Sequence, residues 1–227
     1  MGQLTRSQVE QTINLAHQKG KMPDFFGANL SNLDLSKLNF GGADFSATNL
    51  KGANLTNAIL VGAKIDSMTK IDDKWRLVWE IVNQGAEGQS FVGADLSNAI
   101  LIGAHLSGAD LSGADLSGSD LEMAILHHAD LHLADLRGAN LSMAVLVNAD
   151  LSLADLRGAN LRWANLEFAK LTDSAISGVN LRRADLKGAN MDMANFGSVS
   201  LLRAKYNAKT VWPEEIDPEA TGAIFAD

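Results

Sequence analysis

Several kinds of residue are absent or scarce in this 227-residue chain. It has no cysteine, which excludes disulfide bonds and thiolate metal sites. No apolar run approaches the length of about 18 residues that a membrane-spanning helix needs. The N-terminus lacks the basic-then-apolar order of a signal peptide. Aromatic residues make up only 6% of the chain. From these absences we expect a soluble cytoplasmic protein that makes no contact with a membrane.

Signs of catalysis and of nucleic-acid binding are also lacking. The chain has no G-x-S-x-G motif, no phosphate-binding glycine loop and no helical pair of metal-binding histidines. Its net charge of −8 argues against binding nucleic acid by neutralising phosphates. We therefore expect a protein that is not an enzyme, that needs no cofactor and that does not bind nucleic acid directly.

What the chain does have is a large apolar residue at every fifth position. Leu, Ile, Phe, Met or Tyr fills this position 24 times in succession from Phe91 to Tyr206, and eight times from Leu30 to Ile65. Ala stands two residues earlier in 24 of these 32 pentads, and Asp or Asn stands one residue earlier in 21. These three positions define one repeating unit.

A period of five fits neither a straight helix nor a straight strand. An apolar stripe of this period would drift by about 140° per repeat around a helix, and it would change faces along a strand. The chain must therefore bend once per repeat. In Ala109–Gly113 the Ala and the Leu share one face, the Asp points away, and Ser-Gly makes the turn. Coils built in this way stack as parallel strands about 4.8 Å apart.

The sequence of the pentads resembles the pentapeptide-repeat family. Ala-Asp-Leu-Ser-Gly at 109–113 and 114–118, and Ala-Asp-Leu-Arg-Gly at 134–138 and 154–158, match its A-(D/N)-L-x-x pattern in full. The resemblance implies an all-β solenoid: a right-handed quadrilateral parallel β-helix with four pentads, and hence about 20 residues, in each of about eight coils. On that count, residues 28–67 form two coils and residues 89–208 form six.

Residues 1–27 are predicted to form an N-terminal helical cap. A helix is expected over residues 7–20, with Ser7 and Glu10 as a capping box and Gly20 as its end. Its apolar stripe of Val9, Ile13 and Ala16 would cover the first coil. Phe25 and Phe26 would hold it in place.

A helical insertion interrupts the repeats at residues 68–88. The break equals four pentads plus one residue, so the reading frame of the repeat shifts by one. Residues 72–85 predict a helix that places Trp75, Val78, Trp79 and Val82 on one face. This face either packs on the coils or docks a partner. The segment Lys74–Glu80 resembles insertions in cyanobacterial members of the family.

Residues 209–227 are predicted to form a C-terminal cap and tail. The segment Thr210–Ala220 resembles a frequent ending of the same family. Pro213 and Pro218 are expected to stop further strand pairing, since proline cannot donate to a ladder. Trp212 would cover the last coil.

Residues four pentads apart should stack in columns on the outside of the solenoid. One acidic column comprises Asp95, Asp115, Asp135 and Asp155, and another comprises Asp110, Asp130 and Asp150. Their carboxylates are expected to bond turn amides and to pair with Arg137 and Arg157. Residues 89–160 hold nine acids and two bases, net −7, whereas residues 161–208 hold four acids and seven bases, net +3. This asymmetry could steer a charged partner.

An apolar patch is predicted where Ile125 and Val145 replace Asp or Asn at the outward position. We call the following set the Ile125 patch: Met123, Ile125, Met143, Val145, Val147, Trp163 and Phe168. Exposed patches of this kind usually mark interaction surfaces, although simple packing at the corners is the alternative. Leu133 and Leu153 are expected to extend it.

Four histidines are expected close to the Ile125 patch. They are His105, His127, His128 and His132. His127, His128 and His132 lie close enough in the pattern to suggest a metal site, and His105 is expected to stack under Ile125. No carboxylate is placed to complete one, so we predict a polar rim and no metal ion.

Three functions remain possible. The first is a non-catalytic scaffold that binds an unidentified protein through its outer faces, with the patch and the insertion as contacts. The second is suggested by the resemblance, since some family members mimic B-DNA in shape and charge and bind DNA gyrase. The acidic stretch 89–160 favours it, and the basic end and the insertion oppose it. The third is self-association, for which the patch would permit a side-by-side homodimer.

Overall fold

The computed structural model describes residues 2–227, which form two compact units. The first ends at Gln84 and the second is Gly85–Asp227. The elements are helix α1 (Arg6–Gln18), helix α2 (Asp73–Gln84) and two short parallel strands, β1 (Lys205–Tyr206) and β2 (Ile224–Phe225). Neither helix is long and apolar enough to cross a membrane. The pentads join their neighbours through single parallel bridges rather than through extended strands.

Each pentad combines a pairing segment with a tight turn. In the pentad centred on Leu136, the Leu136 N–H donates to the Asp155 carbonyl at 2.7 Å, and the Asp135 N–H donates to the Ala114 carbonyl at 2.9 Å. The Ala139 N–H then donates back to the Leu136 carbonyl at 3.0 Å, which closes a β-turn with Gly138 at φ +65°. Bridged partners such as Asp115 and Asp135 lie four pentads apart, so four such turns complete one coil.

The interior of the coils is filled by the two apolar positions of the pentad. Leu136 and Leu156 are fully buried, as are most of the central residues, and the neighbouring Ala side chains are almost as inaccessible. Where Ser replaces Ala, its hydroxyl donates to the preceding turn carbonyl: Ser119 to Leu116 at 2.6 Å, and Ser174 to Leu171 at 2.7 Å. The interior is therefore filled by side chains, and another molecule can be contacted only through the outer surface.

The first unit begins with α1, whose cap differs from the prediction. The predicted capping box of Ser7 and Glu10 is wrong, because the helix starts one residue earlier and the box is formed by Thr5 and Gln8. Val9 and Ile13 are the buried residues of α1. Arg6 donates to the carbonyls of Asp34 and Ser36, at 2.8 and 3.1 Å, and so ties the helix to a coil.

The coils of the first unit extend beyond the predicted range 28–67. Gln3 already pairs with Asn29 and Asp24 with Asp44, and the last bridge joins Asn49 to Lys70. Phe25 is buried at the start of these coils and stacks on Phe45, with ring centroids 5.5 Å apart. Phe26, which we also expected to hold the N-terminal helix, is exposed. Lys70 lies four pentads plus one residue beyond Asn49, which places the frame shift in the turn just before Lys70.

Helix α2 packs against the end of the first unit. Trp75, Val78 and Ile81 are its buried residues. The Trp79 indole N–H donates to the Ala63 carbonyl at 2.6 Å, and the Asn83 side chain donates to the Leu60 carbonyl at 3.1 Å. The insertion is thus fixed to the coils that precede it.

The second unit continues past the predicted boundary at residue 208. Asn190 pairs with Val211, again one residue more than four pentads away, and β2 then pairs in parallel with β1. The expectation that Pro213 and Pro218 end strand pairing is therefore wrong, because the chain passes both prolines and resumes pairing at Ile224. Trp212 packs on the rings of Phe196 and Tyr206, with centroids 5.9 and 5.6 Å away.

Candidate protein-interaction surface

The outward residues of the second unit form four columns, each joined by bridges between successive coils. The Ile125 column comprises His105, Ile125, Val145, Asn165, Asp185 and Lys205. The Asp115 column comprises Asp95, Asp115, Asp135, Asp155, Ala175 and Asn195. The Asp130 column comprises Ser90, Asp110, Asp130, Asp150, Lys170 and Asn190. The Asn140 column comprises Ile100, Asp120, Asn140, Asn160, Asn180 and Ser200.

The outward Asp or Asn has a structural task in most pentads. Its side-chain oxygen accepts a hydrogen bond from the backbone N–H two residues later, as Asp115 does from Ser117 at 2.9 Å and Asn140 does from Ser142 at 3.2 Å. Ile125 and Val145 have no oxygen that could do this. These two positions therefore lack the turn hydrogen bond that Asn165, the next residue of the column, accepts from the Glu167 N–H at 3.0 Å.

Large apolar side chains surround these two positions. Met123, Met143 and Trp163 lie along one edge of the Ile125 column, and Val147 and Phe168 lie along the other edge. Met123, Met143, Trp163 and Phe168 are 57, 50, 45 and 48% exposed. Ile125, Val145 and Val147 are half-buried between them. The structure thus brings all seven residues of the Ile125 patch together on one face of the second unit.

The patch changes into a basic region at Trp163. The Arg183 guanidinium lies 4.6 Å from the centroid of the Trp163 ring, in a cation–π contact. A shallow depression of about 480 Å³ follows, whose charged lining residues are Arg183, Asp185, Arg203 and Lys205. The basic end of the repeats was evident from the sequence, but this cluster of charged residues was not predicted. The signal that could have found it is the four-pentad spacing between Arg183 and Arg203.

The acidic columns are neutralised in part by neighbouring bases. Arg137 pairs with Asp135 at 2.5 Å, and Arg157 pairs with Asp155 at 2.5 Å. These hydrogen bonds hold the pKa of both carboxyls below the usual value, although burial opposes the shift. The Ser112 side chain lowers the pKa of Asp110 in the same manner. These columns therefore carry carboxylates that are both ionised at neutral pH and engaged in turns.

Asp150 shows the balance between burial and bonding. Burial raises the pKa of its carboxyl, but hydrogen bonds from Ser152 and Lys170 outweigh that effect, and the net shift is downward. The Lys170 ammonium group lies 3.1 Å from Asp150 on the next coil. Lys170 thus ends the run of aspartates in the Asp130 column with an opposite charge.

The histidines do not form one cluster. His127 and His128 stack at the edge of the patch with ring centroids 6.4 Å apart, and His105 precedes Ile125 in its column. His132 lies at a different corner, where its Nδ1 is 3.0 Å from Ser152 Oγ. Between residues 2 and 227, no group of three His, Asp or Glu side chains is arranged to hold a metal ion.

The insertion and the two corner leucines, Leu133 and Leu153, do not add to this surface. Trp75 and Val78 are buried and Trp79 bonds to Ala63, so this face of the insertion, which also carries the half-buried Val82, is directed at the coils of its own unit. Leu133 and Leu153 are exposed, but they do not extend the Ile125 patch. Each column lies between two corners of the coil. Leu133 and Leu153 lie at the corner on the far side of the Asp130 column, which separates them from the patch.

Solved structures of repeat proteins resemble this chain. Rfr23 from the cyanobacterium Cyanothece 51142 is 27% identical, with a TM-score of 0.44, over 61% of this chain and 95% of its own. A protein of the Arabidopsis thaliana thylakoid lumen is 37% identical, with a TM-score of 0.35, over 44% of this chain and 66% of its own. HetL from Nostoc sp. strain PCC 7120, involved in heterocyst differentiation regulation, is 28% identical, with a TM-score of 0.35, over 93% and 90%. No curated protein matches the sequence.

The repeats themselves determine the family. The family model described as pentapeptide repeats matches eight copies, over residues 24–63, 90–127, 129–167 and 164–201, which is more than half of the chain. Proteins of this family fold as right-handed quadrilateral β-helices, which confirms the fold class expected from the pentads. This chain belongs to the pentapeptide-repeat family.

Proposed function

We propose that this protein is a non-catalytic scaffold that binds a protein partner through the Ile125 patch. The observation that carries the proposal is the replacement of Asp or Asn by Ile125 and Val145 in two consecutive coils. Each replacement gives up a turn hydrogen bond, worth about 1 kcal/mol, and adds apolar surface to a face that is otherwise polar. A binding partner that covers this face would offset both costs.

The arrangement of side chains supports a binding role over catalysis. The interior is filled by Leu and Ala, and the depression beside Trp163 is shallow and open to solvent. Enzyme sites usually need a cleft that excludes water from the reacting groups. The absence of cofactors, direct contact with nucleic acid and contact with a membrane stay predictions, as does the cytoplasmic location.

A capture experiment with matched variants tests the scaffold proposal. Wild-type protein and an Ile125→Asp/Val145→Asp variant are used as bait in a lysate, and the bound proteins are identified by mass spectrometry. The control is Ile100→Asp, which makes the same kind of change at the same pentad position in the Asn140 column. Circular dichroism verifies that all three baits are folded.

We expect a specific partner to bind to the wild type and to Ile100→Asp, and to be lost from the double variant. Each carboxylate placed inside an apolar contact costs a few kcal/mol when nothing pairs with it. If the same proteins bind equally to all three baits, the patch does not bind any of these proteins, and a lysate partner for the patch is refuted.

The acidic columns favour a second candidate, a mimic of DNA that acts on DNA gyrase or another DNA-binding protein. The lowered pKa values of Asp110, Asp135 and Asp155 keep these carboxylates ionised at neutral pH, as phosphates are. Against it, Arg137 and Arg157 lie within the acidic wall, and residues 161–208 carry net +3. A supercoiling assay decides the matter: no inhibition of gyrase by micromolar protein would exclude this candidate for gyrase.

A further inference from the structure

We propose that the partner of the Ile125 patch is a second copy of this chain, docked face to face with its coils in antiparallel order. The proposal rests on the scaffold function above and names the occupant of the same surface. It follows from the positions of the apolar and charged residues along the Ile125 column and its two edges.

The apolar residues fix the centre of the contact. They occupy three consecutive coils: Met123 and Ile125 in the first, Met143, Val145 and Val147 in the second, and Trp163 and Phe168 in the third. The middle coil is apolar at both edges and in the column itself. A two-fold axis that passes across the face at Val145 would therefore superimpose the two patches, with the apolar middle coil of one copy on that of the other.

Such an axis, perpendicular to the coil axis, keeps each edge against the same edge and reverses the order of the coils. Met143, Val145 and Val147 then face their own counterparts in the second copy. One coil away from the axis, Met123 faces Trp163 of the second copy, which is a favourable contact between sulfur and an aromatic ring. Ile125, which also lies one coil away from the axis, faces Asn165 of the second copy.

The polar residues that border the patch are complementary in this order. His127 faces Glu167 of the second copy, and two coils from the axis His105 faces Asp185 of the second copy. Within one chain, the Lys187 ammonium group lies 3.1 Å from Glu167 and 3.5 Å from Asp185, so these two carboxylates share one cation. The other oxygen of Glu167 accepts the Asn165 side-chain amide at 3.3 Å, and that of Asp185 accepts the Lys187 backbone N–H at 3.2 Å. A carboxylate oxygen has two lone pairs, so each can still accept an imidazole N–H group. Imidazole and carboxylate groups thus alternate around the apolar centre.

The opposite orientation would bring like charges together. If the two copies were parallel, the two edges would exchange places, and Arg183 would face Lys187 of the second copy. Asp185 and Lys205, which lie in the column itself, would each face their own counterpart. Like charges in direct opposition disfavour an interface by several kcal/mol. In the antiparallel order, by contrast, Arg183 faces Gly103 of the second copy, which has no side chain.

The association state of the whole chain tests the proposal. A contact confined to one face of a few coils lies near the small end of specific interfaces, so we expect a dissociation constant of about micromolar order. Sedimentation velocity from about 1 to 100 µM should show wild type and Ile100→Asp shifting from monomer to dimer. We expect Ile125→Asp/Val145→Asp to associate at least about tenfold more weakly, since unpaired carboxylates would be buried.

A milder variant guards against loss of folding. Asn stands at the same outward position in Asn140 and Asn160, so the coil accepts it there. Ile125→Asn/Val145→Asn should therefore keep the coils intact and still weaken the dimer. A monomeric wild type at 100 µM would overturn the inference, as would a dimer that persists unchanged in both double variants.

Disulfide trapping tests the orientation, because the natural chain has no cysteine. A mixture of Ile125→Cys and Asn165→Cys proteins should form a disulfide-linked pair on oxidation, since these positions face each other only in the antiparallel order. Asn165→Cys alone should link poorly, Val145→Cys alone should link well, and Ile100→Cys serves as the background. Preferential linking of Asn165→Cys to itself would refute the antiparallel arrangement.

The two proposals fail in different ways. If wild type stays monomeric but a captured protein is lost from the double variant, the scaffold function stands and the homodimer is refuted. If the wild type dimerises and the double variants do not, the homodimer stands. If neither dimerisation nor capture responds to changes at Ile125 and Val145, the function assigned to the patch is wrong.

Discussion

Residues at the turns combine backbone strain with apolar exposure. In most pentads the third residue after the outward position adopts a positive φ, which suits glycine, yet Met143 has φ 60° and Trp163 has φ 65° there. A side chain in this region costs about 1–2 kcal/mol relative to glycine. Arg183 and Arg203 accept the same strain, so the conformation alone does not mark a site. What distinguishes the patch is that its strained residues are large, apolar and half exposed.

Replacing Met143 separates strain from binding. We expect Met143→Gly to be more stable than Met143→Ala by about 1 kcal/mol, since only glycine relieves the positive φ while both variants lose the same exposed side chain. Both should weaken the dimer. The measurement is the urea midpoint of each variant, with sedimentation velocity as the second readout. Equal midpoints for Gly and Ala would show that the turn stores no strain at this position.

Much of the residue-scale description was predictable from the sequence. The period of five identified the buried Leu and Ala positions, because the apolar pair can share a face only if the chain bends once in every pentad. The four-pentad spacing also placed Ile125 and Val145 in one column. It did not separate Leu133 and Leu153 from the patch, since adjacent pentads lie close in sequence but on different faces of the coil.

At the scale of the pentad, the aspartates act as turn caps before they act as charges. Their carboxylates accept the turn N–H, and the nearest Ser or Arg side chain adds a second bond, as Ser117 does for Asp115 at 2.6 Å. This bonding explains how a column of aspartates is tolerated with about 4.8 Å between coils. The same bonding ties the stability of the coils to pH.

The lowered pKa values of Asp135 and Asp155 predict loss of stability in acid. A carboxyl whose folded pKa lies below its unfolded value of about 3.8 adds stability that is fully present above that value. This stability is lost as the pH falls through the folded pKa. The melting temperature should therefore fall below about pH 4.

The matched variant is Asp135→Asn/Asp155→Asn, because asparagine keeps the turn bond, as Asn140 does, but does not ionise. Its melting temperature, followed by circular dichroism, should depend less on pH between about pH 5 and 3. An unchanged dependence would assign the acid sensitivity to other carboxyls.

The helical elements were less predictable than the coils. Both Thr5 and Ser7 begin a suitable capping motif, and the structure uses Thr5 because Arg6 can then reach the carbonyls of Asp34 and Ser36. The sequence left two interpretations of the apolar face of α2 open, with packing on the coils favoured over docking of a partner. The hydrogen bond from Trp79 to the Ala63 carbonyl shows that this face packs on the coils. It is a tertiary contact, which a local sequence pattern cannot predict.

At the scale of the whole molecule, the two units end in the same way. Each has one extra residue in a turn near its end, which separates Asn49 from Lys70, and Asn190 from Val211, by one residue more than four pentads. In the first unit, the Thr69 hydroxyl donates to the Phe45 carbonyl at 2.8 Å. In the second unit, the Thr210 hydroxyl donates to the Leu186 carbonyl at 3.0 Å.

The same turn chemistry recurs around both threonines. The side chain three residues earlier, Asp66 or Asn207, accepts a backbone N–H from the preceding coil, at 3.0 Å from Ala47 and 3.1 Å from Gly188. An Asp/Asn-x-x-Thr turn followed two residues later by a large apolar residue, Ile71 or Trp212, therefore recurs near the end of each unit. The sequence showed the frame shift at the insertion, but only the pairing register shows that the C-terminal end repeats it.

These twin turns predict where each end can be loosened. Thr69→Val and Thr210→Val keep the shape of the side chain but remove the hydroxyl bond to the carbonyl of Phe45 or Leu186. Each carbonyl still accepts a backbone N–H of its own turn, so we expect a cost of about 1 kcal/mol. Every bond of each hydroxyl lies within its own unit. Hydrogen exchange followed by mass spectrometry should therefore show faster exchange in residues up to 84 for Thr69→Val, and from 85 onward for Thr210→Val. Equal acceleration along the whole chain in either variant would mean that the two stacks open as one cooperative structure, and that the turns do not act as separate ends.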